Sequence, residues 1–206
     1  LGQPQGVVPN LEAAVEIFRK AGAQLDVADA LSAMGWVFRD RGDAQKALAL
    51  YHDAVAILID AGSGTGASIH LGNLAILLLR AGEVALATAR AEASLALARE
   101  VDYKEAHASA LLTLGWLDLY RGNVESAEHR TKQAALIAQE EGDRLVSSWA
   151  DWLAGEALVL RGNLTQARVL HERSLAQRTA AGSSGFMAES RATLAAVALL
   201  DGRAAD

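Results

Sequence analysis

Five glycines set the register of this chain. Gly42, Gly82, Gly122, Gly162 and Gly202 recur every 40 residues. A second column, Gly22, Gly62, Gly142 and Gly182, keeps the same period, with Asp102 in its one gap. Self-similarity at a period of about 20 to 50 residues marks a stack of supersecondary units, each too small to bury its apolar face alone. The segments between the glycines are rich in alanine and leucine, which supply 44 and 31 of the 206 residues. These are strong helix formers. The only prolines are Pro4 and Pro9, so nothing after Asn10 interrupts a helix on that ground. Aromatic residues are 5% of the chain, too few for a β-sandwich or barrel.

The glycine contexts predict turns. Arg41-Gly42-Asp43, Arg121-Gly122-Asn123 and Arg161-Gly162-Asn163 each place a residue suited to the left-handed end of a helix before one suited to capping the next. Ala81-Gly82-Glu83 is a weaker version. Each repeat therefore reads as two antiparallel helices. Helix A spans about 27–40 and its copies start near 67, 107, 147 and 187. Helix B spans about 44–60, 84–100, 124–140 and 164–180. Small residues recur where helices must approach closely: Gly35, Ala75, Gly115, Gly155, Ala195; then Ala47, Ala87, Ala127, Ala167; then Ala14, Ala54, Ser94, Ala134, Ser174. The expected organisation is an N-terminal extension over 1–10 and one array over 11–206. That array has a half repeat at 11–22, repeats near 23–62, 63–102, 103–142 and 143–182, and a terminal half repeat at 183–202.

Leu31, Met34-Gly35, Phe38, Gly42-Asp43, Ala47, Tyr51 and Ala54 give the first full repeat a pattern that resembles the tetratricopeptide repeat. The resemblance extends over about 11–202. The period of 40 exceeds the family's usual 34 and is similar to the long-repeat subclass of kinesin light chains and bacterial multidomain regulators. Asp151 and Arg191 replace the leucines found at 31, 71 and 111. The resemblance implies an all-α fold, an α-solenoid of helix pairs wound as a right-handed superhelix. It also implies that one stripe of the A helices lines a concave groove. Read by helical phase, that stripe holds Asp29, Trp36 and Arg39, then Ile69, Asn73, Ile76, Leu79 and Arg80, then Leu112, Trp116 and Leu119, then Trp149, Trp152 and Glu156. All four tryptophans fall on helices A. Contiguous apolar surface marks an interaction site, and tryptophan is the commonest anchor in one.

Catalytic signals are absent. Gly62-Ser-Gly-Thr-Gly66 lacks the lysine of a phosphate-binding loop and follows no strand, and it reads as a linker, as does Gly182-Ser-Ser-Gly185. No two of the five histidines stand at i,i+3 or i,i+4, so neither metal nor cofactor is expected. His52 and His171 fit a helix B surface. Glu125, Glu128, Glu140 and Glu141 read as a solvated face with Arg130, Lys132 and Arg144. A formal net charge of -6 offers no basic footprint for nucleic acid. Aliphatic runs such as Leu74 to Leu79 are far too short to span a bilayer. Zero cysteine fits a reducing cytoplasm.

The expected function is a non-catalytic module binding a peptide or helix in its groove, with a protein partner. Two alternatives are the sensor arm of a bacterial regulator of the signal-transduction ATPase (STAND) type and a self-associating scaffold. The first draws on the arginine-over-lysine, alanine-rich usage of high-GC bacterial genomes. The second draws on Leu194, Val197, Leu199 and Leu200, which make a poor solvent-facing end and suggest a homodimer or a longer parent protein.

Overall fold

The computed structural model describes residues 6–182 and 184–202. Residues 1–5 of the expected extension, Ser183 of the second glycine linker and residues 203–206 lie outside the described residues. Ten α-helices and no strand occur among the described residues: α1 Val7–Ala21, α2 Gln24–Asp40, α3 Ala44–Asp60, α4 Gly64–Arg80, α5 Val84–Glu100, α6 Lys104–Tyr120, α7 Val124–Glu141, α8 Arg144–Leu160, α9 Leu164–Ala180 and α10 Ser184–Leu200. Consecutive helices pack as antiparallel pairs, and the fold is an all-α array of the solenoid type. The chain divides into two compact units, residues 1–106 and 107–206.

The helix ends show the backbone logic read from the glycines. All nine column glycines have φ between 67° and 81°, and Asp102, in the gap, has φ 50°. At Gly42 the amide donates to the Arg39 carbonyl (2.9 Å) and the next amide to the Phe38 carbonyl (2.9 Å), which closes the helix in the left-handed manner. Asp43 caps α3 by accepting from the Lys46 amide at 3.2 Å. Asn163 does the same for α9 from the Gln166 amide at 3.4 Å. Asn123 makes no side-chain cap bond.

Some boundaries differ from expectation. The A helices begin three residues earlier than the phase reading placed them, and α1 begins at Val7 rather than near residue 11. Gly64 and Gly66 are therefore the first turn of α4 and not a linker. Their missing side chains permit close packing. A Cβ on Gly64 would lie 2.5 Å from Val101 Cγ1, and one on Gly66 would lie 2.8 Å from Leu58 Cδ2. Gly185 likewise lies within α10.

Packing inside a repeat rests on a size exchange across the helix pair. A Cβ on Gly35 of α2 would meet the Tyr51 ring of α3 at 2.7 Å, and one on Gly155 of α8 would meet the His171 ring of α9 at 2.5 Å. Where helix B carries Ala91 instead, helix A carries Ala75. The Ala47, Ala87, Ala127 and Ala167 column is sealed throughout, at 1% exposure or less. Serines in the third column satisfy their hydroxyls on the preceding A helix. Ser94 Oγ donates to the Ser68 carbonyl at 2.7 Å, and Ser174 Oγ to the Ser148 carbonyl at 2.8 Å. In the first unit, Val8 and Val15 of α1 join Val27, Leu31, Met34 and Leu58 in one core.

Candidate functional site

Most of the exposed aromatic surface expected on helices A is found in the second unit. Trp116 of α6 and Trp152 of α8 meet edge to face, with centroids 5.5 Å apart and planes at 83°. This is a favoured geometry for two indoles. With Trp149, Leu112, Leu153, Arg178 and Glu189 they line a shallow recess with about 10 Å³ of free volume, room for one water. The three indoles are half-buried, so each keeps ring surface toward solvent. Trp152 is oriented by its Nε1–H, which donates to Thr193 Oγ1 of α10 at 3.2 Å.

A charged cluster adjoins the recess. The Arg178 guanidinium is enclosed, with its carbon 6.0 Å from the Trp152 ring centroid. Its Nη1 donates to Ser190 Oγ at 2.8 Å and stands 3.9 Å from Glu189 Oε2. Burial lowers its pKa below the ordinary arginine value. His171 is fully enclosed, and burial first and the Arg178 charge second push its pKa down to about 4. The imidazole is thus neutral near pH 7. Glu156 Oε1 lies 3.6 Å from His171 Nε2. Burial, then the Glu189 charge, raise the Glu156 carboxyl to about 6. The side chains of Glu156 and Glu189 retain 32% and 27% of their exposure, whereas Arg178 and His171 retain none. Negative charge is therefore open to solvent here, and the cation is sealed.

The first unit presents its tryptophan differently. The Arg39 guanidinium carbon lies 3.6 Å over the Trp36 ring. Trp36 meets Tyr51 edge to face at 6.5 Å, and Tyr51 approaches His70 at 6.4 Å. His70 Nδ1 lies 2.9 Å from the Gly66 carbonyl, and its Nε2 is 3.8 Å from exposed Asp29. Ile69 and Arg80 are exposed, and Asn73 and Ile76 are half-buried.

Two of the expected groove residues offer no surface. Leu79 is 5% exposed and Leu112 is 1% exposed. Helix α4 is buried on nearly every side, which takes Leu79 into the core. Leu112 survives only as part of the recess wall. Leu119 is half-buried. His171 is enclosed rather than on the helix B surface, because Gly155 opens space for its ring. His52 is exposed as expected. Val197 is also buried, at 2%, while Leu199 and Leu200 remain 66% and 64% exposed.

The fold has known counterparts at low sequence identity. BtubC (BKLC) from P. vanneervenii superposes with a TM-score of 0.72 at 20% identity, covering 96% of this chain and 84% of that one. The TPR-like repeats of a putative kinesin light chain from Podosopora anserina give 0.59 at 17% identity, covering 85% and 87%. The apo form of RapI gives 0.53 at 11% identity, covering 98% and 87%. The fold is of the tetratricopeptide-like repeat type. No protein-family model matches the sequence, and no curated protein does. No helix among the described residues is long and apolar enough to cross a membrane.

Within this tetratricopeptide-like array, Arg178 is the member of the cluster that sequence reasoning passed over. The signal was present. Phe18, Leu58, Ala98 and Ala138 occupy the repeat position at which Arg178 stands. A charge in an otherwise apolar column is either exposed by a local distortion or buried with partners. Here it is buried with Ser190 and Glu189.

Proposed function

We propose that this protein is a non-catalytic protein–protein interaction module that holds a peptide or helix against the A-helix face. The carrying observation is the recess of the second unit, where Trp116, Trp149 and Trp152 stand partly open around it. A fully buried tryptophan removes about 150–250 Å² from water. At ~25 cal/mol/Å², covering the open part of each ring, about a third at most, contributes roughly 1–2 kcal/mol, an upper bound. Three such rings supply the anchor of a typical interface. The tetratricopeptide-like fold fits this reading, since its stacked helices present side chains along an extended surface. In the first unit, Asp29, Trp36, Arg39, Ile69, Asn73, Ile76 and Arg80 are the secondary contact candidates. There the Arg39 cover leaves Trp36 a weaker anchor.

Selection from a displayed library of random peptides tests the reading. Enriched peptides are expected to bind at micromolar strength and to shift the indole N–H resonances of Trp116, Trp149 or Trp152. Binders that move none of these signals would place the interaction elsewhere. The exposed Leu199 and Leu200 keep a second copy of the chain as the competing occupant. Light scattering of the wild type and of Leu199→Glu separates that case, because a monomer throughout leaves the recess to a foreign partner.

A further inference from the structure

We infer that a groove over α8, walled by α7 and α9, binds a small organic acid: a compact apolar body carrying one carboxylate. The groove shares no lining residue with the tryptophan recess and is a separate site.

The space originates in the sequence. At the repeat position of Ala154 the other A helices carry Met34, Leu74, Leu114 and Leu194. Asp151 and Ala135 stand where the first unit, two periods earlier, has Leu71 and Val55. In that unit Val55, Leu71 and Leu74 are buried, at 6%, 4% and 0% exposure, and fill their junction. In the second unit the three replacements coincide at one place. Helix α8 packs against both α7 and α9 there, and a cavity of about 350 Å³ opens between them. Such a volume lies at the small end of the range that holds small molecules.

The lining says which molecule fits. Ala135, Ala150, Ala154, Leu158 and Leu170 supply apolar surface. Both carboxylates that line the groove are already held. Asp151 accepts from Arg173, and from Gln177 at 3.3 Å. Glu128 accepts a bidentate pair from Arg161 at 2.7 and 2.9 Å. Asp151 is also the more enclosed partner, its side chain 13% exposed against 57% for Arg173. Lys132 lines the groove from α7, is exposed, and has no carboxylate partner among the described residues. Lys132 and Arg173 therefore offer cations to solvent from opposite walls, while the carboxylates are occupied. A ligand carboxylate gains charge-assisted hydrogen bonds at this rim. An ammonium group finds its acceptors already paired. The apolar body displaces water from the alanine and leucine surface below.

Three probes of one shape test this: 4-phenylbutyrate, 4-phenylbutyramide and 4-phenylbutylamine, titrated at neutral pH into protein with labelled alanine methyls. The acid is expected to shift the Ala135 and Ala154 methyl resonances saturably and to bind about tenfold tighter than the amide. Lys132→Gln, an exposed change that leaves the core alone, should remove most of that preference. Ala154→Leu restores the residue type of Leu74 and Leu114. It should abolish binding of all three probes and melt no lower than the wild type. Equal binding of acid and amide, in the wild type, would overturn the acid assignment. Tighter binding of the amine would overturn it in favour of Asp151 and Glu128. Undiminished binding to a folded Ala154→Leu, or no saturable shift with any probe, would overturn the site itself. The peptide selection at the tryptophan recess is untouched by each of these results.

Discussion

Trp36, Tyr51 and His70 in the first unit and Glu156, His171 and Ser190 in the second occupy the same repeat positions, three periods apart. The first set is a chain of rings: Trp36 edge-on to Tyr51, and Tyr51 tilted against His70. In the second set a carboxylate faces an enclosed imidazole, with a buried arginine on the adjoining serine. The backbone solution is shared. In both repeats a glycine on helix A, Gly35 or Gly155, makes room for the ring on helix B. The difference teaches that the repeat specifies volume at this junction and leaves chemistry open. The first unit fills the volume with aromatic packing. The second fills it with groups whose charge states depend on burial, and the recess adjoins them.

The largest expected effect separates the two fillings. Tyr51→Ala removes a ring buried to 1% exposure and should cost about 3–5 kcal/mol, read from urea unfolding. His171→Ala should cost less by at least about 1 kcal/mol, because the imidazole nitrogens have no hydrogen-bond partner in the structure and their burial is itself unfavourable. Equal losses would mean that ring volume alone governs both junctions.

Next in size are the glycines. Gly35→Ala and Gly155→Ala should each cost about 1–3 kcal/mol through overpacking against Tyr51 and His171. The double change Gly155→Ala with His171→Ala recreates the Ala75–Ala91 pairing of the second repeat. It should be more stable than the sum of its parts by about 1 kcal/mol. Additive losses would show that the size exchange is not the reason for the glycine.

The smallest effect is a pH dependence confined to the second unit's junction. His171 has its pKa lowered from 6.5 to about 4 in the folded chain. Its contribution is full above pH 6.5 and is lost as pH falls toward 4. Glu156 is raised from 4.5 to about 6. Its contribution is full below pH 4.5 and is lost as pH rises through 6. The facing charges are Arg178 on α9 and Glu189 on α10. Between pH 4.5 and 6 the two trends oppose, and the junction's net contribution should be nearly flat. Glu156→Gln leaves His171 alone. The stability difference between variant and wild type should then grow against the variant as pH falls from 6 to 4.5, by at most about 1.4 kcal/mol per unit. A difference independent of pH would show that folding does not raise the Glu156 carboxyl.

Repeat length, the alternation of helices, the left-handed turns and the close-contact columns are all legible in the order of the residues. Gly42, Asp102 and Ala47 show why. Their roles depend on hydrogen bonds within a few residues or on a contact repeated at a fixed phase, so one chain carries several copies of the same statement. Which members of the A-helix stripe stay open depends on packing between helices. Trp116 and Trp152 do, while Leu79 and Leu112 do not, although helical phase ranks them together. The same holds for Arg178, enclosed through Ser190 and Glu189, and for Trp152, oriented by Thr193 from 41 residues away. Exposure and charge state are set by what neighbouring helices place around a side chain, and those neighbours differ from repeat to repeat. Periodicity preserves the backbone frame and carries no information about such unrepeated partners.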